Sequence, residues 1–283
     1  PTCSPNLACN VIAHNQISGV ALATPDPVSQ GRLNPALTPT TIRGNSIFRN
    51  VGAGIDRPGF GVTPNNVDPQ DSDVDFPIGV SRSVKPETST TVVSGFIQVP
   101  DVSTADLTID VYRLDPGPDQ SSGLFDHGVI RPGAIINGKL QWPLTPTVEN
   151  PSSFGEGRTW VGTVAQNNIA RDGRWRLEIP GVVDPRAAFT ATVTDAKGDT
   201  SEFSAFCYDT DGNGTADNDG DSLCDDWEEF GIDTDGNGTN DLPLPLPPFN
   251  ANRDQRDVFV EVDWIDNNMP HDKPKSGTAN GPL

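Results

Sequence analysis

Thr91-Val92-Val93-Ser94-Gly95-Phe96-Ile97-Gln98-Val99, followed by Leu107-Thr108-Ile109-Asp110-Val111-Tyr112-Arg113, reads as two β-strands. β-Branched and aromatic residues alternate with small or polar ones, and a period of two lines one set of side chains along one face. Working outward, Thr159–Ala165, Trp175–Ile179 and Phe189–Thr194 carry the same pattern, with Gly, Pro and Asp turns between them. Residues 84–206 are therefore expected to form a β-sandwich of roughly seven strands.

Composition agrees with a chain rich in turns. Gly (28) and Pro (27) are abundant, and aromatic residues make up 7% of the 283 residues, which favours β-structure over helical bundles and leaves room for more than one domain. The formal charge is −20, from 39 acidic against 19 basic side chains. Without clustered Lys and Arg, nucleic acid is not an expected partner. No apolar run approaches the roughly 18 to 20 residues of a membrane span, so none is expected. The sequence starts at Pro1 and its one Met is Met269. That reads as the mature portion of a longer precursor, so a missing leader does not argue against secretion.

Near the start the chain repeats itself. Asn10-Val11-Ile12-Ala13-His14-Asn15 returns 35 residues later as Asn45-Ser46-Ile47-Phe48-Arg49-Asn50, and Gly19-Val20 returns as Gly54-Ile55 at the same offset. Short alternating pieces punctuated by Asn and Gly mark stacked β-coils in which Asn side chains align at the turns. The Pro-rich stretch Thr24–Pro39 reads as a loop bulging from such a coil. This segment resembles the last coils of right-handed parallel β-helix proteins of bacterial surfaces, and residues 1–80 are assigned to such terminal coils. Two coils are not stable alone, so they need coils upstream or a neighbouring domain to pack on. The stretch Ala191-Thr192-Val193-Thr194-Asp195-Ala196-Lys197-Gly198-Asp199-Thr200-Ser201-Glu202-Phe203-Ser204 resembles the last hairpin of bacterial immunoglobulin-like modules. In that family the module often follows a β-helix segment ending like Gly44-Asn45-Ser46-Ile47-Phe48, and the order here is the same. The expected fold is thus mostly β: a parallel β-helix end, an immunoglobulin-like sandwich, then loops with one short helix.

Those loops lie at 207–241. From Asp209 to Asp241, DTDGNGTADNDGDSLCDDWEEFGIDTDGNGTND, there are twelve carboxylates in 33 residues and no Lys or Arg. Asp209, Asp211, Asn213, Gly214 and Asp217 return as Asp233, Asp235, Asn237, Gly238 and Asp241. Between them Asp217, Asp219 and Asp221 fill positions one, three and five of a twelve-residue calcium loop. Leu223 would offer its carbonyl at seven, Asp225 would act at nine and Glu228 would bind bidentately at twelve. Hard oxygen ligands at alternate positions are what Ca²⁺ requires. Ser222 replaces the usual Gly at position six. The outer loops keep that Gly and add Thr215 and Thr239 as expected ligands. Their position twelve falls on Gly220 and Leu244, so they would need an acid from elsewhere, such as Asp226 or Glu229. Asp217 belongs to two overlapping loops and would bridge two ions. Asp225–Phe230 reads as a short helix stopped by Gly231, with Trp227 and Phe230 on its inner face. The segment resembles thrombospondin type-3-like and dockerin-like calcium repeats. The alternative is a solvated acidic linker.

Cys3, Cys9, Cys207 and Cys224 suit disulfides of an oxidising compartment. They form two near pairs, Cys3 with Cys9 and Cys207 with Cys224; three pairings are possible, the local one is favoured, and a Cys207–Cys224 disulfide would clasp the first acidic loop. Free thiols are the alternative, and the spacing does not fit zinc. Beyond the loops, residues 242–252 read as a stiff, extended, Pro-rich linker. Residues 253–283 read as the start of a further domain, in which Asp257–Trp264 alternates as a strand. Arg256–Trp264 also resembles a segment upstream of the catalytic part of some secreted bacterial metalloprotease-like proteins.

No catalytic constellation emerges. His14, His127 and His271 are far apart, and there is no HExxH and no GxSxG. Asp71, Asp73 and Asp75 carry no spacing that separates glycoside chemistry from a polar loop. No enzyme activity is expected of this chain. The expectation is a calcium-binding structural or adhesion module of a secreted or cell-surface bacterial protein, with a cell-surface glycan or protein as partner. Alternatives are the non-catalytic front of a zinc metalloprotease or an accessory part of a β-helix polysaccharide enzyme. Exposure of Trp142, Trp160 or Trp175 on one face would favour glycan binding.

Overall fold

A computed structural model describes residues 9–15, 18–22, 39–50, 53–57, 62–63, 65, 74–98, 106–114, 154–183, 187–207, 217–221, 223–232 and 240–257, and the backbone of 134–136 and 139–141. The protein is mostly β. The short strands β1 (Val11–Ala13) and β3 (Ser46–Phe48) pair in parallel, as do β2 (Val20–Ala21) and β4 (Ile55–Asp56). Val11 faces Ser46 and Val20 faces Ile55, so the pairing register equals the 35-residue repeat. The Asn residues bind across it. Asn10 donates its backbone N–H and Nδ2 to Asn45 Oδ1 at 2.9 and 3.1 Å, and Asn15 does the same to Asn50 Oδ1 at 3.0 and 2.7 Å.

An open parallel edge exposes unpaired backbone groups, and the inner edge of this stack is covered by residues 156–158. Ile47 N donates to Gly157 O at 2.8 Å, and Ser46 Oγ to Arg158 O at 2.6 Å. Asn50 donates its Nδ2 to Glu156 Oε1 at 2.6 Å. The buried Glu156 carboxylate thus stands where a further Asn would continue the ladder.

Two three-stranded antiparallel sheets follow. One has the order β11 (Arg174–Pro180), β6 (Thr90–Phe96), β5 (Ile78–Lys85). The other has the order β10 (Thr159–Ala165), β7 (Thr108–Leu114), β12 (Ala188–Thr194). Val80, Val93 and Trp175 of the first meet Ile109, Val111, Val164, Phe189, Ala191 and Val193 of the second in one core. A further hairpin joins β8 (Ala134–Ile136) and β9 (Lys139–Gln141). The five expected strands of the sandwich appear within one or two residues of their predicted starts, the strand expected at Asp257–Trp264 lies almost wholly outside the described residues, and β5 was not anticipated. Gly79, left-handed at φ 60°, sits inside a register shift between Ile78 and Ser81, and the Ser81-Arg82-Ser83 run hides the strand's alternation.

Strand β12 is buried along its whole length because its sheet is covered on both faces. The outer cover comes from residues 42–55. Tyr112 packs with Ile42, Ile47, Ile55 and Phe203, and its hydroxyl accepts Gly44 N at 2.9 Å. Beside it, the fully buried Asp110 takes two bonds from Arg43, at 2.6 and 3.0 Å. A carboxylate buried this deeply is tolerated only with such paired donors. Trp175 is 3% exposed, so its indole offers no open stacking face; Trp160 is half-buried, and Trp142 lies outside the described residues.

Candidate metal site

Helix α1 spans Asp225–Phe230, too short to persist without tertiary support. Two features hold it. The disulfide Cys207–Cys224 ties its N-cap residue to the end of the two-sheet body, and Trp227 packs with Cys224, Leu244 and Ala251. Cys9 is also disulfide-bonded, while Cys3, its expected partner, lies outside the described residues. The helix ends at Gly231, left-handed at φ 91°, whose N–H caps Trp227 O at 2.7 Å. A Cβ there would also lie 2.1 Å from Asn240 Nδ2, so the position demands glycine twice over. Phe230 is half-buried and stands outside the Trp227 cluster, unlike the shared face expected of the pair.

Immediately before the helix the chain folds three acids inward. Carboxylate oxygens of Asp217, Asp219 and Asp221 all lie within 4.8 Å of one another, a group that could hold a metal ion. Local bonds set their orientation. Asp217 Oδ1 accepts Gly220 N at 2.8 Å, Asp219 Oδ1 accepts Asp221 N at 3.1 Å, and Asp221 Oδ1 accepts Leu223 N at 2.8 Å. Asp225 Oδ1 accepts Asn218 N at 2.8 Å, which folds the helix start against the loop. The left-handed residue is Gly220 (φ 75°), at position four; Ser222, the expected tight point, lies outside the described residues.

Glu228 is the residue that makes this more than an acidic turn. It is 1% exposed, and both its carboxylate oxygens lack a hydrogen-bond partner, as does Asp219 Oδ2. Burial, and then the neighbouring charges of Asp221, Asp219, Asp257 and Asp225, push its carboxyl up to about 8. Asp219 is raised by partial burial and by Asp221. A buried acceptor left without a donor costs more than most single interactions contribute. A divalent cation held by Asp217, Asp219 and Asp221 would satisfy Asp219 Oδ2 and offset the charge beside Glu228, which stands outside that three-acid group, so the residues present fit such a group.

Of the other expected ligands, Leu223 and Asp225 are drawn to this loop by the bonds just given. Asp209, Asp211, Asn213, Thr215, Asp233, Asp235, Asn237 and Thr239 lie outside the described residues. Asp241 is exposed, its N–H donating to Ile232 O at 2.9 Å, where an Ile232–Leu242 bridge pinches the third repeat closed. Of the acids suggested to help the outer loops, Asp226 is fully buried, whereas Glu229 is exposed and pairs with Arg253 at 3.1 Å.

The stretch after the loops departs from the extended linker. Residues 243–250 make successive turns, with Leu246 N bonded to Pro243 O and Phe249 N to Leu246 O, at 2.9 and 3.0 Å. Burying Leu244 against Trp227 bends the chain back, and it returns to the acidic loop. Asp257 N donates to Asp221 Oδ2 at 2.7 Å, and Arg256 Nε donates to the Asp219 carbonyl at 2.7 Å. Sequence reasoning missed both residues. The one available signal was that Arg253 and Arg256 are the first cations after the acidic run.

The loop also abuts the sheets, since Asp217, Leu223 and Cys224 share a small crevice with Val80, Ala187 and Phe189. No helix of the described residues is long and apolar enough to cross a membrane. Comparison with protein families and with curated proteins finds no match.

Proposed function

We propose that residues 217–228 bind calcium, and that the ion stiffens the junction between the two-sheet body and the chain that follows it. The observation that carries this is Glu228, buried beside Asp219 and Asp221 with neither oxygen satisfied. Oxygen-only ligands favour a hard cation, and the loop spacing favours Ca²⁺ over the smaller Mg²⁺. An ion bound only by the ordered loop stabilises that order by mass action. The junction then becomes rigid where calcium is plentiful, which is the extracellular setting. The disulfide closing this segment supports the same secreted or cell-surface setting.

Within this reading the 35-residue parallel register and its Asn ladder support a β-helix end, and the two-sheet body supports an immunoglobulin-like module. A stack of rigid units joined by a calcium-ordered segment suits adhesion or the presentation of a neighbouring domain. Calorimetric titration with Ca²⁺, run beside limited proteolysis with and without chelator, tests it. Saturable binding with protection of 208–248 is expected. Absence of binding at millimolar Ca²⁺ would reduce the segment to an acidic linker.

A further inference from the structure

We propose that Arg256 and Asp257 are positioning residues of the cation site, so that filling the acidic loop fixes the chain's exit at 252–257. This rests on the calcium reading above and specifies where the ion's effect is delivered. The contacts fall on the ligand residues themselves. The Asp257 N–H holds Asp221 Oδ2 at 2.7 Å, while Asp221 Oδ1 is held by Leu223 N at 2.8 Å, so the two bonds together fix the plane of that carboxylate. The Arg256 Nε holds the Asp219 carbonyl at 2.7 Å, and its guanidinium lies over Gly220, 3.5 Å from where a Cβ would stand.

The returning chain is itself shaped for this. Gln255 N binds Asn252 O at 2.8 Å and Asp254 N binds Asn252 Oδ1 at 3.0 Å, closing a tight turn. Asn252 N then binds Asp257 Oδ2 at 2.9 Å, and Ala251 anchors the turn in the Trp227 cluster. The turn therefore presents an N–H and a guanidinium to a loop 36 and 37 residues earlier. Acidic clustering alone would not assign a ligand here. The independent sign is Glu228, at least nine-tenths buried and unpartnered at both oxygens. With the loop filled, Asp221 is fixed and the exit is fixed with it.

The test is amide hydrogen exchange on the full chain across a Ca²⁺ titration, with calorimetry on three variants. Protection of 252–257 is expected to rise with the same Ca²⁺ midpoint as 217–228. Arg256→Gln and Asp257→Pro, which remove the guanidinium and the N–H, are expected to weaken Ca²⁺ binding about five- to tenfold, the worth of roughly one hydrogen bond to a charged or ligating group. Asp257→Ala, which keeps the N–H, should weaken it less than Asp257→Pro. Protection confined to 217–232, or an unchanged midpoint in both Arg256→Gln and Asp257→Pro, overturns the inference and leaves calcium binding intact. Failure of the unaltered chain to bind Ca²⁺ overturns both. The exchange experiment needs no variant, so a misfolded substitution does not shelter the idea.

Discussion

Glu228→Gln separates the two states of the acidic loop. The Glu228 carboxyl is raised from an ordinary value of 4.5 to about 8, first by burial and then by Asp221, Asp219, Asp257 and Asp225. A raised carboxyl pKa means that the folded site prefers the proton. The associated stability is fully present below pH 4.5 and is lost as pH rises through about 8. At about 1.4 kcal/mol per pH unit, the whole interval corresponds to roughly 3–5 kcal/mol. The glutamine amide is nearly isosteric with the neutral acid and carries no charge at any pH. In chelator, the protection factors of the 225–231 amides, which divide out the base-catalysed intrinsic rate, should therefore fall between pH 5 and 9 in the parent protein and stay nearly constant in Glu228→Gln. With Ca²⁺ present the ranking reverses. The variant loses one buried anionic partner of the ion, worth about 3 kcal/mol or more, so affinity should fall roughly a hundredfold. Local opening by exchange and calorimetric titration read the two halves separately. Calcium affinity unchanged in Glu228→Gln, or protection factors of the parent protein that stay constant in chelator from pH 5 to 9, would refute the reasoning.

Three further outcomes follow from particular contacts. Gly231→Ala places a methyl 2.1 Å from Asn240 Nδ2 at a φ of 91°, and should cost about 2–3 kcal/mol of local stability, read as faster exchange of α1. Replacing Cys207 and Cys224 together by Ser frees a sequence separation of 17, and should lower stability by about 3 kcal/mol and weaken Ca²⁺ binding by leaving the empty loop less ordered. Arg43→Met leaves the fully buried Asp110 without its two charged bonds, and should cost about 3–5 kcal/mol in a urea titration; an effect under 1 kcal/mol would mean that Trp160 and Thr163 suffice to hold that carboxylate.

Legibility in the sequence followed the range of the interaction. Alternation in Thr159–Ala165 is local, and β10 has those bounds. The 35-residue repeat gave the parallel register directly, because like sequences stack on like. The cap of that ladder was hidden, since Glu156 lies 106 residues from Asn50 and no pattern in either segment announces the other. Leu242–Pro248 read as extended because Pro alternating with Leu favours that backbone locally. A tertiary contact, Leu244 on Trp227, outweighed the local preference and coiled the segment into turns. Missing the turns meant missing Arg256 and Asp257, whose place at the acidic loop depends on that reversal. The grouping of Asp217, Asp219 and Asp221 was legible, because alternate spacing is a local property, whereas burial of Glu228 depends on what packs over it.

Electrostatics then constrains how the loop is used. Two like charges 4.8 Å apart repel by roughly 1 kcal/mol in water and roughly 3.5 kcal/mol at an effective dielectric of about 20, and Asp217, Asp219 and Asp221 form three such pairs. The nearest cations do not remove this load: Arg256 directs its Nε to a peptide oxygen, and Arg253 pairs with the exposed Glu229. Burial and the surrounding carboxylates raise the Glu228 carboxyl to about 8, so that it holds a proton well above the usual carboxylate range. That is a makeshift, because a proton neutralises one carboxylate and leaves the three Asp side chains facing one another. A divalent cation would act on all four groups together, and the same bonds that turn the carboxylates inward would then hold the returning chain. Coupling between ion and exit is thus a consequence of where the charge has to be cancelled, and it should weaken in high salt far less than a surface ion pair such as Lys85–Glu178 would.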